Sequence, residues 1–382
     1  MPSTQLFVNT RTRVTPFTDR IEAVGVQAYT VYNHMLLPLV FRSLVDDYRH
    51  LKQHVQLWDV SCQRQVEISG PDAARLVQAM TPRDLSGAAV GRCLYTPLVD
   101  AAGGMVNDPV VLKLADDRFW VSVGDSDVVL WADGLATGLG LDVRVEEPDV
   151  FPLAVQGPKA EDLVARVFGE EVRSIRFFHF DTLAFDGHPL RVARTGWSKQ
   201  GGFEIYVDDP ALAGPLWDRL WQAGEDLSVR AGSPNLIERV EGGLLSYGGD
   251  ITRAHNPFEC GFDAFCHLDR PIDFLGRAAL ERIAEDGPRR RIVGLRIDTN
   301  ALPPCHRRWP VTADDQPVGS VSSAVVSPDF GRGLAIATVD RSHWSPGTAL
   351  EVQTPDGPYT ATVSTLPFER DPVLATAHAG AV

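Results

Sequence analysis

The segment Val66-Glu-Ile-Ser-Gly-Pro-Asp-Ala-Ala-Arg-Leu-Val77 returns 87 residues later as Leu153-Ala-Val-Gln-Gly-Pro-Lys-Ala-Glu-Asp-Leu-Val164, with seven identical or similar positions. Each copy reads as a short strand, a Gly turn, Pro at the first helical position and an amphipathic helix. A strand and a helix joined this tightly each have one apolar face to bury. Two such units therefore predict an α+β core assembled from duplicated halves.

The chain has 382 residues, of which 44% are hydrophobic, enough for two or three domains. A net charge of -14 argues against nucleic acid, whose binding needs Lys and Arg to neutralise phosphates, and against an anionic membrane. Cys62, Cys93, Cys260, Cys266 and Cys305 are scattered, with no C-x-x-C pair, so neither a disulfide framework nor a zinc site is expected. His50 and His54 have helical i, i+4 spacing, but no Glu follows His50 and no third ligand is apparent, so no metal is expected. No apolar targeting segment and no run of 18 apolar residues occurs. A soluble, cytoplasmic protein is expected.

Leu94 to Val99 and Met105 to Leu114 read as a hairpin closed by Asp100-Ala-Ala-Gly-Gly104. Asp108 lies among the apolar residues of the second arm. It needs a partner there, or else caps a turn ahead of Pro109. Pro210–Ala223 reads as a helix and 235–246 as another. After Asp286-Gly-Pro-Arg-Arg-Arg291 the chain turns to short β-rich runs, at 292–297, 319–326, 334–339 and 349–363, expected as a small sandwich or barrel. Residues 375–382 read as a frayed or vector-derived tail. The expected domains are 1–150, 151–285 and 286–382.

Arg194-Thr-Gly-Trp-Ser-Lys-Gln-Gly-Gly-Phe-Glu-Ile-Tyr-Val207 holds the most suggestive chemistry. Strand alternation sends Phe203, Ile205 and Val207 to one face and Glu204 and Tyr206 to the other. Trp197 lies just across the Gly201-Gly202 turn. The Glu204 face is either a solvated hairpin surface or a seat for a flat or cationic ligand held by stacking and charge. No G-x-G-x-x-G or Walker sequence supports a nucleotide, and Ser198 lacks the spacing of a nucleophile elbow.

Arg239-Val-Glu-Gly-Gly-Leu-Leu-Ser-Tyr-Gly-Gly-Asp-Ile251, Pro257-Phe-Glu-Cys-Gly261, Asp273-Phe-Leu-Gly276 and the Asn107-Asp108 pair resemble the folate-dependent aminomethyltransferases of the glycine cleavage system. Tyr29-Thr-Val-Tyr-Asn-His-Met-Leu-Leu-Pro38, His54 to Val60, Ile175-Arg-Phe-Phe178 and Gly196 to Tyr206 are similar to its dimethylsulfoniopropionate-demethylase branch. The resemblance implies a three-domain cloverleaf around a folate channel, with an all-β last domain and tetrahydrofolate as methyl acceptor. It implies Asp108 as the acid facing the reacting end of the pterin, and Tyr95, Glu204, Arg239 and Tyr247 as folate contacts. The implied substrate contacts are Tyr32, expected in the loop before Met35, together with Trp197 and Tyr206. In a simple hairpin register Asp108 lies opposite Thr96 while Tyr95 points the other way, so a bulge is needed for both to reach one pocket. The expected partner is a small-molecule substrate, with a homodimer as the candidate assembly. Rival readings are a tetrahydrofolate-dependent demethylase of a quaternary ammonium or aryl methyl ether, and a folate-binding protein without turnover.

Overall fold

The computed structural model describes residues 9–369; the tail expected over 375–382 lies outside them. The chain is a mixed α+β protein with two compact units. Among the described residues one is made of 9–77, Ser86–Tyr95 and Pro109–Asn235, the other of Gln78–Leu85, Thr96–Asp108 and 236–369. Among the described residues no helix is long and apolar enough to cross a membrane.

In the first unit each repeat copy feeds its own sheet. Gln65–Ser69 joins a five-stranded antiparallel sheet ordered Arg144–Glu146, Gln65–Ser69, Arg118–Ser122, Val110–Ala115, Cys93–Tyr95. Phe151–Gln156 joins a six-stranded sheet ordered Phe180–Phe185, His188–Ala193, Gly202–Val207, Phe151–Gln156, Gln56–Asp59, Arg230–Ala231. The two turns match closely: Gly70 has φ 123° and Gly157 φ 124°. A Cβ would stand 2.8 Å from the Asp142 carbonyl oxygen at Gly70 and 2.3 Å from that of His54 at Gly157, so both sites demand glycine. Pro71 and Pro158 do not occupy the first helical position. Each sits inside a one-turn connection, closed by Ala73 N–H to Gly70 O and Ala160 N–H to Gly157 O, and the helices Ala73–Ala79 and Ala160–Phe168 begin after it.

Phe203, Ile205 and Val207 join Leu57, Leu153 and Val155 in the main apolar core under Leu163, Val164 and Phe168 of the second repeat helix. The helix Pro210–Ala223 forms as expected, capped by Asp209, which accepts from the Ala211 N–H, and closes that core with Leu216, Trp217 and Leu220.

The second unit carries a closed barrel ordered Arg290–Ile297, Arg332–Asp340, Gln316–Ser327, Trp309–Ala313, Ala349–Thr354, Gly357–Ser364. Its interior is filled by Leu295, Ile297, Trp309, Val311, Val321, Leu350 and Val352. The sandwich alternative is thereby excluded, and Trp309–Ala313 is a strand that the sequence pattern did not reveal. The helix expected over 235–246 is only Leu236–Glu241, because Gly242-Gly243 ends it and Gly243 takes φ 63°.

The hairpin expected over 94–114 is broken. Cys93–Tyr95 pairs with Val110–Ala115, and Leu98–Val99 pairs separately with Met105–Asn107. Pro97 and Pro109 stand in the gaps, where each lacks the N–H a continuous ladder would need. A bulge between Leu98 and Val99 moves the pairing off the simple register, with Leu98 opposite Asn107 and Val99 opposite Met105.

Candidate active site

Strand alternation places Glu204 on the sheet face away from the main core, and that face is buried rather than solvated. Glu204 is 6% exposed and Tyr206 1% exposed. Tyr206 packs with Cys93, Leu112, Trp120 and Ala193, its ring 5.8 Å from that of Trp120. The Glu204 Oε2 accepts a hydrogen bond from the Thr195 hydroxyl at 2.6 Å and a long one from the Tyr206 hydroxyl at 3.5 Å. Among the described residues no cation pairs with it. Burial therefore pushes the Glu204 carboxyl above its ordinary value, against the opposing pull of the two hydroxyls. A buried acid without a cation is unstable as a carboxylate until a ligand brings N–H donors to it.

Trp197 is half-buried in the loop between Thr195 and Phe203. Tyr95 ends its strand opposite Val110, also half-buried. Tyr32 lies at the end of a strand, not in the loop before Met35; the loop is the two residues Asn33 and His34, both at positive φ. This hairpin tip is pinned by the Asn33 side chain, which donates to the carbonyls of Cys62 at 2.9 Å and Gly124 at 3.0 Å. Tyr32 packs against the cluster of Met35, Leu37 and Cys62.

In the second unit Asp108 occupies the break between Met105–Asn107 and Pro109, half-exposed and outside any strand. It is not an acid enclosed in an apolar strand. Its charge still bears on its neighbours. Burial, then Asp108 and Asp100 against Arg253, push the Tyr247 hydroxyl up to about 12, and Asp108 adds to burial in raising the Cys260 thiol. The Tyr247 hydroxyl donates to the Met105 carbonyl at 3.0 Å. Arg239, expected among the folate contacts, is committed inside its own unit. It forms an ion pair with the wholly buried Asp250 at 2.8 Å and donates to the Ser323 hydroxyl at 2.6 Å. Asp250 also accepts from the Ser246 N–H, so Arg239 orders the turn that carries Tyr247.

His50 and His54 have rings 4.9 Å apart, and both are engaged by protein. His50 Nε2 lies 2.8 Å from the Ser228 carbonyl, and the Lys159 Nζ lies 3.1 Å from His54 Nδ1. Burial lowers His50 to about 4. Among the described residues no group of three or more His, Cys, Asp or Glu could hold a metal ion. Thr195 was missed by sequence reasoning. Its only signal is that it precedes Gly196 in the loop entering the Glu204 strand, and loop entry does not predict contact.

Residues 17–270 match the GCVT N-terminal domain, and residues 290–369 match the glycine cleavage T-protein C-terminal barrel domain. The chain is 57% identical over 358 residues to the dimethylsulfoniopropionate demethylase DmdA of Ruegeria pomeroyi, covering 94% of this chain and 98% of that protein. It is 29% identical over 338 residues to an aminomethyltransferase of Bacillus cereus, covering 87% of this chain and 91% of that one. Its fold matches the crystal structure of the glycine cleavage system aminomethyltransferase T from Bartonella henselae with a TM-score of 0.84, at 22% identity, over 94% and 98% of the two chains.

Proposed function

We propose that this chain, which belongs to the glycine cleavage T-protein family, moves a methyl group from dimethylsulfoniopropionate to tetrahydrofolate, yielding 5-methyltetrahydrofolate and methylmercaptopropionate. The observation that carries the proposal is Glu204, a buried acid with two hydroxyl neighbours and no cation among the described residues. The amino-pyrimidine edge of a pterin offers the N–H donors such a group lacks, so the residues present fit the folate. The extent of identity to the Ruegeria demethylase favours the sulfonium donor over an aminomethyl one.

Tetrahydrofolate, when bound, supplies the nitrogen that takes the methyl group. Glu204 anchors the pterin edge through charge-assisted hydrogen bonds. Tyr95 and Tyr247 are the remaining pterin contacts, and Arg239 acts through the Tyr247 turn. Tyr32 and Trp197 offer aromatic faces to a sulfonium, attractive to a soft cation by about 0.5–2 kcal/mol each and inert toward its methyl carbon. Tyr206, expected beside them, is buried against Trp120 and instead backs Glu204 through its hydroxyl. The carbon–sulfur bond breaks with its electrons staying on sulfur, and the leaving thioether is neutral, so no general acid is needed there. Asp108 supplies a negative charge and accepts the proton that the nitrogen loses. Orientation supplies most of the rate, on a scale of roughly 7–11 kcal/mol. We assign the reaction to the cytoplasm.

The test is incubation with tetrahydrofolate and a panel of donors (dimethylsulfoniopropionate, glycine betaine, an aryl methyl ether and an aminomethyl-loaded carrier), with detection of 5-methyltetrahydrofolate by mass. Methyl transfer from dimethylsulfoniopropionate alone supports the proposal; product from another donor, or none, rejects it.

A further inference from the structure

Gln156 is the last residue of its strand and has no exposed surface. Its amide is wholly engaged by the loop that carries Trp197. The Nε2 group donates to the carbonyls of Thr195 at 3.2 Å and Phe203 at 3.4 Å, and the Oε1 accepts from the Ser198 hydroxyl at 2.8 Å. Two N–H donors and one carbonyl are what a primary amide offers. One side chain therefore holds the loop near its start, its middle and its end.

The backbone is fitted to that amide. A Cβ at Gly196 would stand 2.1 Å from the Gln156 Nε2, and one at Gly202 would stand 2.6 Å from it and 2.2 Å from the Val155 carbonyl oxygen. The glycines flanking the loop thus let the chain settle onto Gln156. The same loop borders a cavity of about 260 Å³ lined in part by Gln200, Gly201, Gly202 and Phe203, so packing leaves one flank of it unfilled. The repeat gives a comparison within the chain. The position equivalent to Gln156 in the first copy is Ser69, which is followed by the same Gly-Pro turn but is too short to reach across a loop.

We infer that Gln156 is a positioning residue for methyl transfer: it sets where Trp197 stands and, through Thr195, how the Glu204 carboxyl is aimed. Thr195 is the link, since its carbonyl is held by Gln156 while its hydroxyl is held 2.6 Å from Glu204. This rests on the reading of Trp197 and Glu204 as donor and folate contacts. Small displacements at such groups are costly to a reaction that depends on alignment.

The test uses Gln156→Glu, which keeps the size but turns an acceptor toward two carbonyls, and Gln156→Met, which keeps the length and removes both functions. In the full-length protein, both variants should raise the KM for dimethylsulfoniopropionate by about 10- to 100-fold and weaken tetrahydrofolate binding by about 3- to 10-fold, as expected of one misaligned contact each. In a Trp197→Phe background the same substitutions should add less than about threefold to that KM, because coupled residues are not additive. Additive effects overturn the inference. A separate readout is the emission of Trp197, taken as wild type minus Trp197→Phe, which should shift to the red in both Gln156 variants. Unchanged emission overturns the inference whatever the activity. If Trp197→Phe alone leaves the KM untouched, the donor role of Trp197 fails, while the emission still decides whether Gln156 holds the loop.

Discussion

Replacing Glu204 by Gln should make the unliganded protein more stable and its hold on folate weaker, and the opposite signs are the useful part. The wild-type carboxyl is buried, with two hydroxyl donors and, among the described residues, no cation. An incompletely satisfied buried polar group costs about 1–3 kcal/mol, and more when charged. The amide oxygen of Gln can still accept from Thr195, so removing the charge should return about 1–3 kcal/mol to the unliganded fold. At roughly 2–4 °C per kcal/mol for a unit of this size, the melting temperature should rise by several degrees. Folate binding loses a charge-assisted pair worth about 1.5–3 kcal/mol, a roughly 10- to 150-fold weaker Kd.

The pH dependence follows from the raised Glu204 carboxyl. Between the unfolded and folded values the native state binds more protons than the unfolded chain. The Glu204 contribution to stability therefore falls as pH rises through that window and levels off above it. Folate affinity runs the other way: donors need the carboxylate, so binding releases a proton, and affinity should drop as pH falls below the folded value. Gln at 204 removes this contribution from both slopes, read as the difference between wild type and variant. Calorimetry of folate binding and melting curves from pH 4 to 8 on wild type and variant check this. A variant that melts lower and binds folate normally would show that Glu204 serves only to order Thr195.

Asp108→Asn should lower kcat by roughly 10²–10³-fold with little change in donor KM, the range for losing one preorganised electrostatic contact; a variant that turns over normally but melts early would make Asp108 a turn residue before Pro109. Arg239→Met should cost about 3–5 kcal/mol, because it strands the buried Asp250, and thermal melting reads this directly. EDTA should leave turnover unchanged, since His50 and His54 are engaged by Ser228 and Lys159; activity lost to EDTA and restored by one divalent ion would contradict this.

What the sequence disclosed and what it hid divide along a physical line. Local periodicity and turn chemistry were legible: the duplicated Gly turns adopt nearly equal φ, and Phe203 to Val207 sorts its faces as alternation demands. Whether the Glu204 face is wet or dry was not legible, because Cys93, Leu112 and Trp120 cover it from another sheet, at least 84 residues away in sequence. Prolines blurred strands in both directions. Pro310 hid a barrel strand, while Pro97 and Pro109 broke a hairpin that the apolar pattern made continuous. Arg239 shows the limit of a motif: its spacing to Asp250 is read from sequence, but only the structure turns that spacing into an ion pair that orders the Tyr247 turn. Thr195 and Gln156 lie deeper still. Each is set by the path of an irregular loop, which has no period to read, and each acts on a neighbour that the sequence does reveal. Motif and resemblance thus put forward candidate ligand contacts, and left unnamed the buried hydroxyl and amide bonded to Glu204 and to the loop of Trp197.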